Sequence, residues 1–323
     1  MLTKTFFKLF PPPKYLNIPY AGLDISDDAI RCIEYSDGVH GYKLKRAGFR
    51  LLKPGIVDSG YIKDEKALIQ EISSLAQELK ITTVKASLPE ERMYLFKTEV
   101  PDVNEDQIRQ SIEFKLEENV PLQASDSIFF FDRFHDKLNS GKTFASVSVA
   151  SRDLVNSYLR TLQTSGLTTV SFEIQARAIA RAIIAQDSID TVMIVHVMNK
   201  KTGLYIVSNG IIHFTSTIPW GGELIRGKKI SDVPDDIFTL KHEIEKVFTY
   251  WSQYGEKRNI KSIIISGHDA LAINLISNLS PSANVALIVA DVWKNAFSTN
   301  YYVPKITFED SLDYAAAAGL ALP

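Results

Sequence analysis

Tyr20-Ala21-Gly22-Leu23-Asp24-Ile25-Ser26 reads as a short apolar strand that ends beside an acid and a small hydroxyl residue, and Ala29-Ile30-Arg31-Cys32-Ile33-Glu34-Tyr35 follows it as a second strand. The pairing returns past the middle of the chain. There Thr191 to Val197 is an apolar run, and Gly203-Leu204-Tyr205-Ile206-Val207 follows it across a turn. In the first turn Ser26 leaves room for a backbone to approach a phosphate, and the Asp24 carboxylate could orient Mg²⁺ or its waters. The second turn differs in kind: His196-Val197-Met198-Asn199-Lys200-Lys201-Thr202 has no Asp and no early Gly.

Composition sets wide limits around this pair. With 323 residues, 45% of them hydrophobic and 23% charged, the chain can bury one large or two moderate cores. A net charge of -2 gives no clustered basic excess with which to displace counterions from nucleic acid. Cys32 is the only cysteine, so no intrachain disulfide forms and a Cys-based metal site is disfavoured; a reducing, cytoplasmic setting fits. The six histidines, at 40, 135, 196, 213, 242 and 268, lack a metal-hydrolase spacing, and no GxSxG elbow is present. His196, in an apolar strand, reads as a satisfied interior histidine.

Outward from the first turn, Tyr42 to Leu52 alternates charged and apolar residues as a half-buried strand requires. Asp64 precedes a helix with Leu68, Ile72, Leu75 and Leu79 on one face, and Val84 to Leu88 is a returning strand. From Glu90 the pattern changes. A strand at Met93 to Val100 leads to a helix capped by Asn104, with Glu105 and Asp106 in its first turn and Ile108, Ile112 and Leu116 along one face. Strands at Ser127 to Phe134 and Thr143 to Ala150 follow, then a helix from Arg152 to Thr164 that stops at Gly166. This order predicts an inserted α+β module over residues 90–165. Residues 15–89 and 166–190 form the first lobe, joined by a closing helix within 311–323, and residues 191–310 form the second. In that second lobe a long helix is expected from about Thr239, another at Leu271, Leu275 and Leu279, and a last one from Leu312 to Leu320. Beyond the weak echo between the two turns no internal repeat is visible.

Two strand-turn-strand units in two halves are how actin-like, ribonuclease H-like folds build the phosphate loops that face each other across a nucleotide cleft. The expected fold is therefore a two-lobed α/β protein of that type carrying an α+β insert. Further stretches carry a more specific resemblance: Gly22-Leu23-Asp24-Ile25-Ser26; Gly55-Ile56-Val57 with Gly60-Tyr61-Ile62; Val100-Pro101 leading to Glu117-Glu118-Asn119-Val120-Pro121-Leu122; and Tyr314-Ala315-Ala316-Ala317-Ala318-Gly319-Leu320-Ala321-Leu322. In this order they resemble the type IV pilus assembly PilM family, actin-like relatives of the cell-division protein FtsA. The resemblance implies that the insert is the SHS2-like subdomain 1C. It also implies a cytoplasmic protein that holds the N-terminal tail of PilN, a membrane-anchored partner, in a groove between the first lobe and 1C.

Against the family pattern, His196 and Met198 stand where Asp and Gly are expected in the second loop, and Thr202 alone keeps a familiar type. Few residues separate Gly222 from the helix near Thr239, so the family's subdomain 2B is largely missing. The glycine-rich adenosine turn is reduced to Ser266-Gly267-His268-Asp269. Asp24, Ser26, His196, Asn199, Lys200, Lys201, Thr202, Gly221, Gly222 and Gly267 are then a vestigial nucleotide cleft. No catalytic residue and no cofactor is expected, with Asp24 the one candidate Mg²⁺ ligand and Lys200 and Lys201 able to place charge near a phosphate. In the plainer reading Asp24 orders a strand end, the lysines solvate a hairpin tip and Gly221-Gly222 is a tight turn. The expected function is a binding scaffold. Its alternatives are an ATP-binding actin-like switch and an FtsA-like membrane filament. The filament reading wants a long amphipathic C-terminal helix, for which Phe6, Phe7, Leu9 and Phe10, in the tail at residues 1–14, are the substitute. Those four side chains, with Lys4 and Lys8, suit an anionic membrane surface or a partner, or belong to a mobile tail.

Overall fold

The computed structural model describes residues 18–136, 141–228, 234–255, 258–267, 269 and 285–323. Strand β1 (Ala21–Ile25) turns through Ser26 into β2 (Ala29–Gly38), which pairs antiparallel with it and with β3 (Gly41–Leu51). The turn is closed locally: the Ser26 N–H donates to the Ala29 carbonyl at 2.9 Å, and the Ala29 N–H donates back to the Ser26 hydroxyl at 3.2 Å. A loop with the short pair β4 (Val57–Asp58) and β5 (Tyr61–Ile62) then leads to α1 (Glu65–Leu79). Asp64 caps α1 by accepting from the Ala67 N–H, and Leu68, Ile72, Leu75 and Leu79 are buried on the face the sequence predicts. Strand β6 (Thr83–Leu88) runs parallel to β1 and ends at the insert.

The insert packs β7 (Tyr94–Glu99), α2 (Glu105–Asn119), β8 (Ser127–Asp136) and β9 (Lys142–Ser151) in the sheet order β7-β9-β8. Ile108, Ile112 and Leu116 of α2 meet Ala145, Val147 and Val149 of β9 in a core of their own. Each such large apolar side chain contributes about 1.5–3 kcal/mol by leaving water. The next helix, α3 (Arg152–Thr164), is capped by Ser151 and packs away from that core. Leu154, Tyr158 and Leu162 lie in the core of the first lobe, and the Tyr158 hydroxyl donates to the Gly60 carbonyl at 3.0 Å. The periodicity of α3 shows that one face is buried but not against which sheet.

Strand β10 (Thr168–Ile174) returns beside β6, completing the order β10-β6-β1-β2-β3, and α4 (Gln175–Ile183) crosses to the second lobe. There β11 (Thr191–Val197), β12 (Thr202–Ser208) and β13 (Ile211–Ile218) form an antiparallel run. After α5 (Pro234–Tyr254), β14 (Ile260–Gly267) and β15 (Ala286–Val289) add on the other side in parallel. The order β13-β12-β11-β14-β15 repeats that of the first lobe strand for strand. The weak echo is thus a five-strand duplication. Its sequence signal is weak because equivalent strands are covered differently: β12 is buried throughout whereas its counterpart β2 becomes partly exposed toward its end.

Helix α5 begins at Pro234, five positions before the expected start; proline suits the first turn because it lacks an N–H where N–H groups have no partner within the helix. The expected helix through Leu271, Leu275 and Leu279 lies outside the described residues, as do Phe6, Phe7, Leu9 and Phe10. The single closing helix expected from Leu312 divides into α6 (Phe308–Ser311), a 3₁₀ turn at Leu312–Tyr314 and α7 (Ala315–Ala321). Thr307 starts it early by capping at Asp310 N, with two acids in the first turn. Every residue of α7 is buried, and a Cβ on Gly319 would stand 1.7 Å from the Ala178 carbonyl oxygen. The small residues let α7 lie directly on α4 at the junction of the lobes. Among the described residues no helix is long and apolar enough to cross a membrane.

Candidate functional site

The turns after β1 and β11 face each other where the two sheets meet. Asp24 is buried at the end of β1, and its Oδ1 accepts from the Ser87 hydroxyl at 2.7 Å and from Gln175 Nε2 at 3.1 Å. Burial holds its pKa above the ordinary carboxylate value, against the hydrogen bonds and the Arg31 guanidinium that favour its charge. Ser26 donates to Asp28 Oδ1 at 2.7 Å and receives Arg31 Nη1 at 3.4 Å, while Arg31 Nη2 lies 3.5 Å from Asp313.

Opposite, His196 is buried between Gly203 and Ser266 on the neighbouring strands, with Nδ1 3.3 Å from the Ser266 hydroxyl. Burial, reinforced by Arg31, pushes its pKa down to about 4, so it is a neutral imidazole near pH 7. It is the satisfied interior histidine that its apolar strand implies. Met198 is also buried, and its N–H donates to the Lys201 carbonyl at 2.9 Å, which tightens the turn. Between the two turns, Asp24, Ser26, Arg31, Gln175, His196 and Met198 enclose a cavity of about 10 Å³, room for about one water.

The remaining predicted residues surround this floor. Thr202 donates to the Trp220 carbonyl at 2.7 Å, and Gly222 N–H donates to the Met198 carbonyl at 2.9 Å, so the Gly221-Gly222 turn docks on the Met198-Asn199 backbone. A Cβ at Gly222 would stand 2.1 Å from Asp269 Oδ2. Gly267 sits at φ +89 with its Cβ position 2.2 Å from the Val197 carbonyl, a place that excludes any side chain. Asn199 accepts from Arg226 Nη2 at 3.1 Å, and the same guanidinium pairs with Asp269 at 2.7 Å. Lys200 is exposed, as a solvated hairpin tip would be. Lys201 fits neither sequence reading, because its ammonium reaches the first lobe and pairs with Asp27 at 2.9 Å and with Glu91.

Sequence reasoning did not single out Ser87, Gln175, Asp27, Glu91 or Arg226, whose partners lie far away in the chain, nor Arg31, which pairs with distant Asp313. It also missed Glu90, which is buried at the start of α4, accepts from the Ala176 N–H at 3.0 Å and is driven by burial to a pKa of about 7. Glu90-Glu91 immediately after a strand-ending proline was the available signal. Wider spaces flank the floor. One of about 530 Å³ is lined by Asp27, Pro54, Val57, Lys63 and Lys200, and one of about 660 Å³ by Arg31, Phe49, Leu51, Ile306 and Tyr314. On the insert side, Arg92 donates to the Ser59 carbonyl at 2.6 Å and its guanidinium stacks 3.9 Å from the Tyr61 ring, joining the β4–β5 loop to the root of the insert. Among the described residues no group of three metal-ligating side chains could hold an ion.

Residues 22–233 match the family model described as type IV pilus assembly protein PilM. The chain belongs to this PilM family. Among solved structures, a PilM-PilN type IV pilus biogenesis complex superposes with a TM-score of 0.79 at 17% identity, over 94% of this chain and 98% of that one. The cytoplasmic domain of EpsL, an inner-membrane component of the type II secretion system of Vibrio cholerae, gives 0.50 at 12% identity over 93% and 94%. EutJ, an ethanolamine utilization protein from Carboxydothermus hydrogenoformans, gives 0.52 at 12% identity over 96% and 90%. A search of curated protein sequences finds no match. At these identities the likenesses establish the two-lobed actin-like fold, and the family match establishes the PilM kinship of this chain.

Proposed function

We propose that this PilM-family chain is a non-catalytic scaffold of a type IV pilus or related inner-membrane assembly platform. It acts at the cytoplasmic face of the membrane and holds the cytoplasmic tail of a PilN-like membrane protein in the groove between the first lobe and the insert. The observation that carries the non-catalytic reading is the filled cleft floor. A bound ATP–Mg²⁺ needs carboxylate or water ligands, a backbone cradle and a place for the attacking water. Here Asp24 accepts from Ser87 and Gln175, a neutral imidazole replaces the second carboxylate, Met198 occupies the turn, and about 10 Å³ remains between them. These residues do not fit the group.

Family membership and the likeness to a PilM-PilN complex support the partner reading. An extended tail gains backbone hydrogen bonds and places apolar side chains in pockets without any chemistry. The test is calorimetry with a synthetic peptide of the cytoplasmic tail of the membrane protein encoded beside this chain. Micromolar binding unaffected by ATP–Mg²⁺ is expected; co-purification with nucleic acid or a soluble substrate, and with no membrane protein of its own operon, would refute the scaffold. A second reading, an ATP-binding switch, draws on the 660 Å³ space beside Arg31 and Tyr314. Equilibrium dialysis decides it: low-micromolar ATP binding abolished by Asp24→Ala would put the switch first.

A further inference from the structure

The Lys201 ammonium is carried by the second lobe, yet its partners belong to two other bodies. Asp27 lies in the first-lobe turn between β1 and β2, and Glu91 lies in the 3₁₀ turn Glu90–Arg92 at the root of the insert. All three side chains are largely shielded, at 15% exposure for Lys201 and Glu91 and 25% for Asp27. The contact continues further. The other oxygen of Asp27 accepts from the Gly60 N–H at 3.0 Å, Gly60 receives the Tyr158 hydroxyl, and Arg92, next to Glu91, holds Ser59 and Tyr61. A series of charge-assisted and neutral hydrogen bonds thus runs from the second lobe, through the turn between β1 and β2, to the β4–β5 loop where it meets the root of the insert.

In a nucleotide-closed fold of two lobes, a ligand placed between them supplies the charge that draws them together. Here a lysine on one lobe, ion-paired with two carboxylates on the others, supplies it from within the chain. We propose that Lys201 is a built-in closing charge, which holds the two lobes and the insert root together without a small-molecule ligand and so pre-sets the groove between the first lobe and the insert. Removing one member leaves two shielded carboxylates facing each other or an ammonium with half its partners, which favours opening. Burial works against the charge of Lys201, but Glu91 and Asp27 outweigh it and hold its pKa above the ordinary lysine value. The sign follows: a raised lysine pKa means that closure is fully present below the unfolded lysine value and is lost only as pH rises through the folded one. The clamp therefore does not open through this lysine anywhere near neutral pH.

The importance of the groove rests on the scaffold reading, whereas closure does not, and the experiment separates them. Hydrogen exchange is followed at the Gly60 amide of the full chain, with Lys201→Met, Lys201→Arg and Glu91→Gln. In Lys201→Met the Gly60 amide should exchange at least tenfold faster, Lys201→Arg should restore most of the protection, and Glu91→Gln should add less than threefold to Lys201→Met. Wild-type exchange should not change with millimolar ATP–Mg²⁺. Unchanged Gly60 exchange in Lys201→Met, or a tenfold slowing of the wild type by ATP–Mg²⁺, overturns the clamp. If Lys201→Met does not fold, Glu91→Gln alone serves, and Gly60 protection equal to wild type overturns the clamp. Tail-peptide affinity is measured in parallel and should fall about tenfold in Lys201→Met. A peptide that binds neither protein refutes the scaffold reading and leaves the exchange result to judge the clamp.

Discussion

The turn after β1 and the turn after β11 occupy equivalent places in two sheets of the same strand order, and their side chains differ in almost every respect. The first keeps an acid held by distant Ser87 and Gln175 and a serine tied into local hydrogen bonds; the second carries a buried neutral imidazole and a buried thioether. Around the second turn the ladder is undisturbed: β11 keeps seven-residue register with β12 and stays paired to β14 up to Gly267. The sheet sets where the turn goes, through backbone pairing and apolar burial, while the residues at its tip are free to change as long as the space is filled. The residues at the tip of the second turn pack, and the ladder around it is regular without any ligand there.

The comparison breaks most sharply if the second turn is given back its acid. His196→Asp places a carboxylate between Gly203 and Ser266 with no cation beyond Arg31 nearby, and should cost about 3–5 kcal/mol. Urea unfolding should show a much lower midpoint, and an unchanged midpoint would mean that the site is wetter than its burial implies. Dialysis on the same variant should still find no ATP binding, since Met198 and the closed floor remain.

Titration gives the next largest effect, with opposite signs for two buried groups. His196, depressed to about 4, contributes stability that is fully present above its ordinary value near 6.5 and is lost as pH falls toward 4. Glu90, raised to about 7, contributes stability that is fully present below the ordinary glutamate value near 4.5 and is lost as pH rises through 7. Each shift corresponds to roughly 3 kcal/mol. Glu90→Gln should therefore match wild type at pH 4.5 and exceed it above pH 7, as read from thermal melts across pH. Equal melting temperatures at both ends would remove Glu90 from the account.

Two smaller changes sharpen the contrast between the turns. Gly222→Ala drives a methyl into Asp269 and loosens the support of Met198 and Asn199, for about 1–3 kcal/mol. Its spectroscopic reading is faster exchange at the Met198 and Glu223 amides, with no change at Ala29. Ser26→Ala removes the hydroxyl that closes the first turn, for about 1 kcal/mol, and should alter the Ala29 amide and spare the second turn. If either variant disturbs both turns equally, the two are coupled more tightly than their separate hydrogen bonds indicate.

Local features of this fold were legible in the sequence. Asp64 and Asn104 cap the helices their types and spacing imply, Ile108, Ile112 and Leu116 form the core of the insert, and the interior place of His196 follows from its apolar strand. Partnership across the chain was not legible. Lys201 lies 174 positions from Asp27 and 110 from Glu91, and a lysine in a polar turn gives no local hint that it will cross a cleft. The allegiance of α3 was hidden for a related reason, since a buried stripe on a helix names no opposing sheet. The duplication was masked because equivalent strands meet solvent differently and so take different residues.

The crossing of α7 on α4 has a mechanical consequence. With Gly319 set against the Ala178 carbonyl, the two helix backbones touch, leaving no yielding side-chain layer between those two residues. Sliding of one lobe past the other needs such compliant layers, so shear is blocked at this place and rotation about it is the freedom left. The contact is placed as a pivot pin: any rotation of the lobes about it would displace residues near α4 and α7 least and those at the rim of the cleft most.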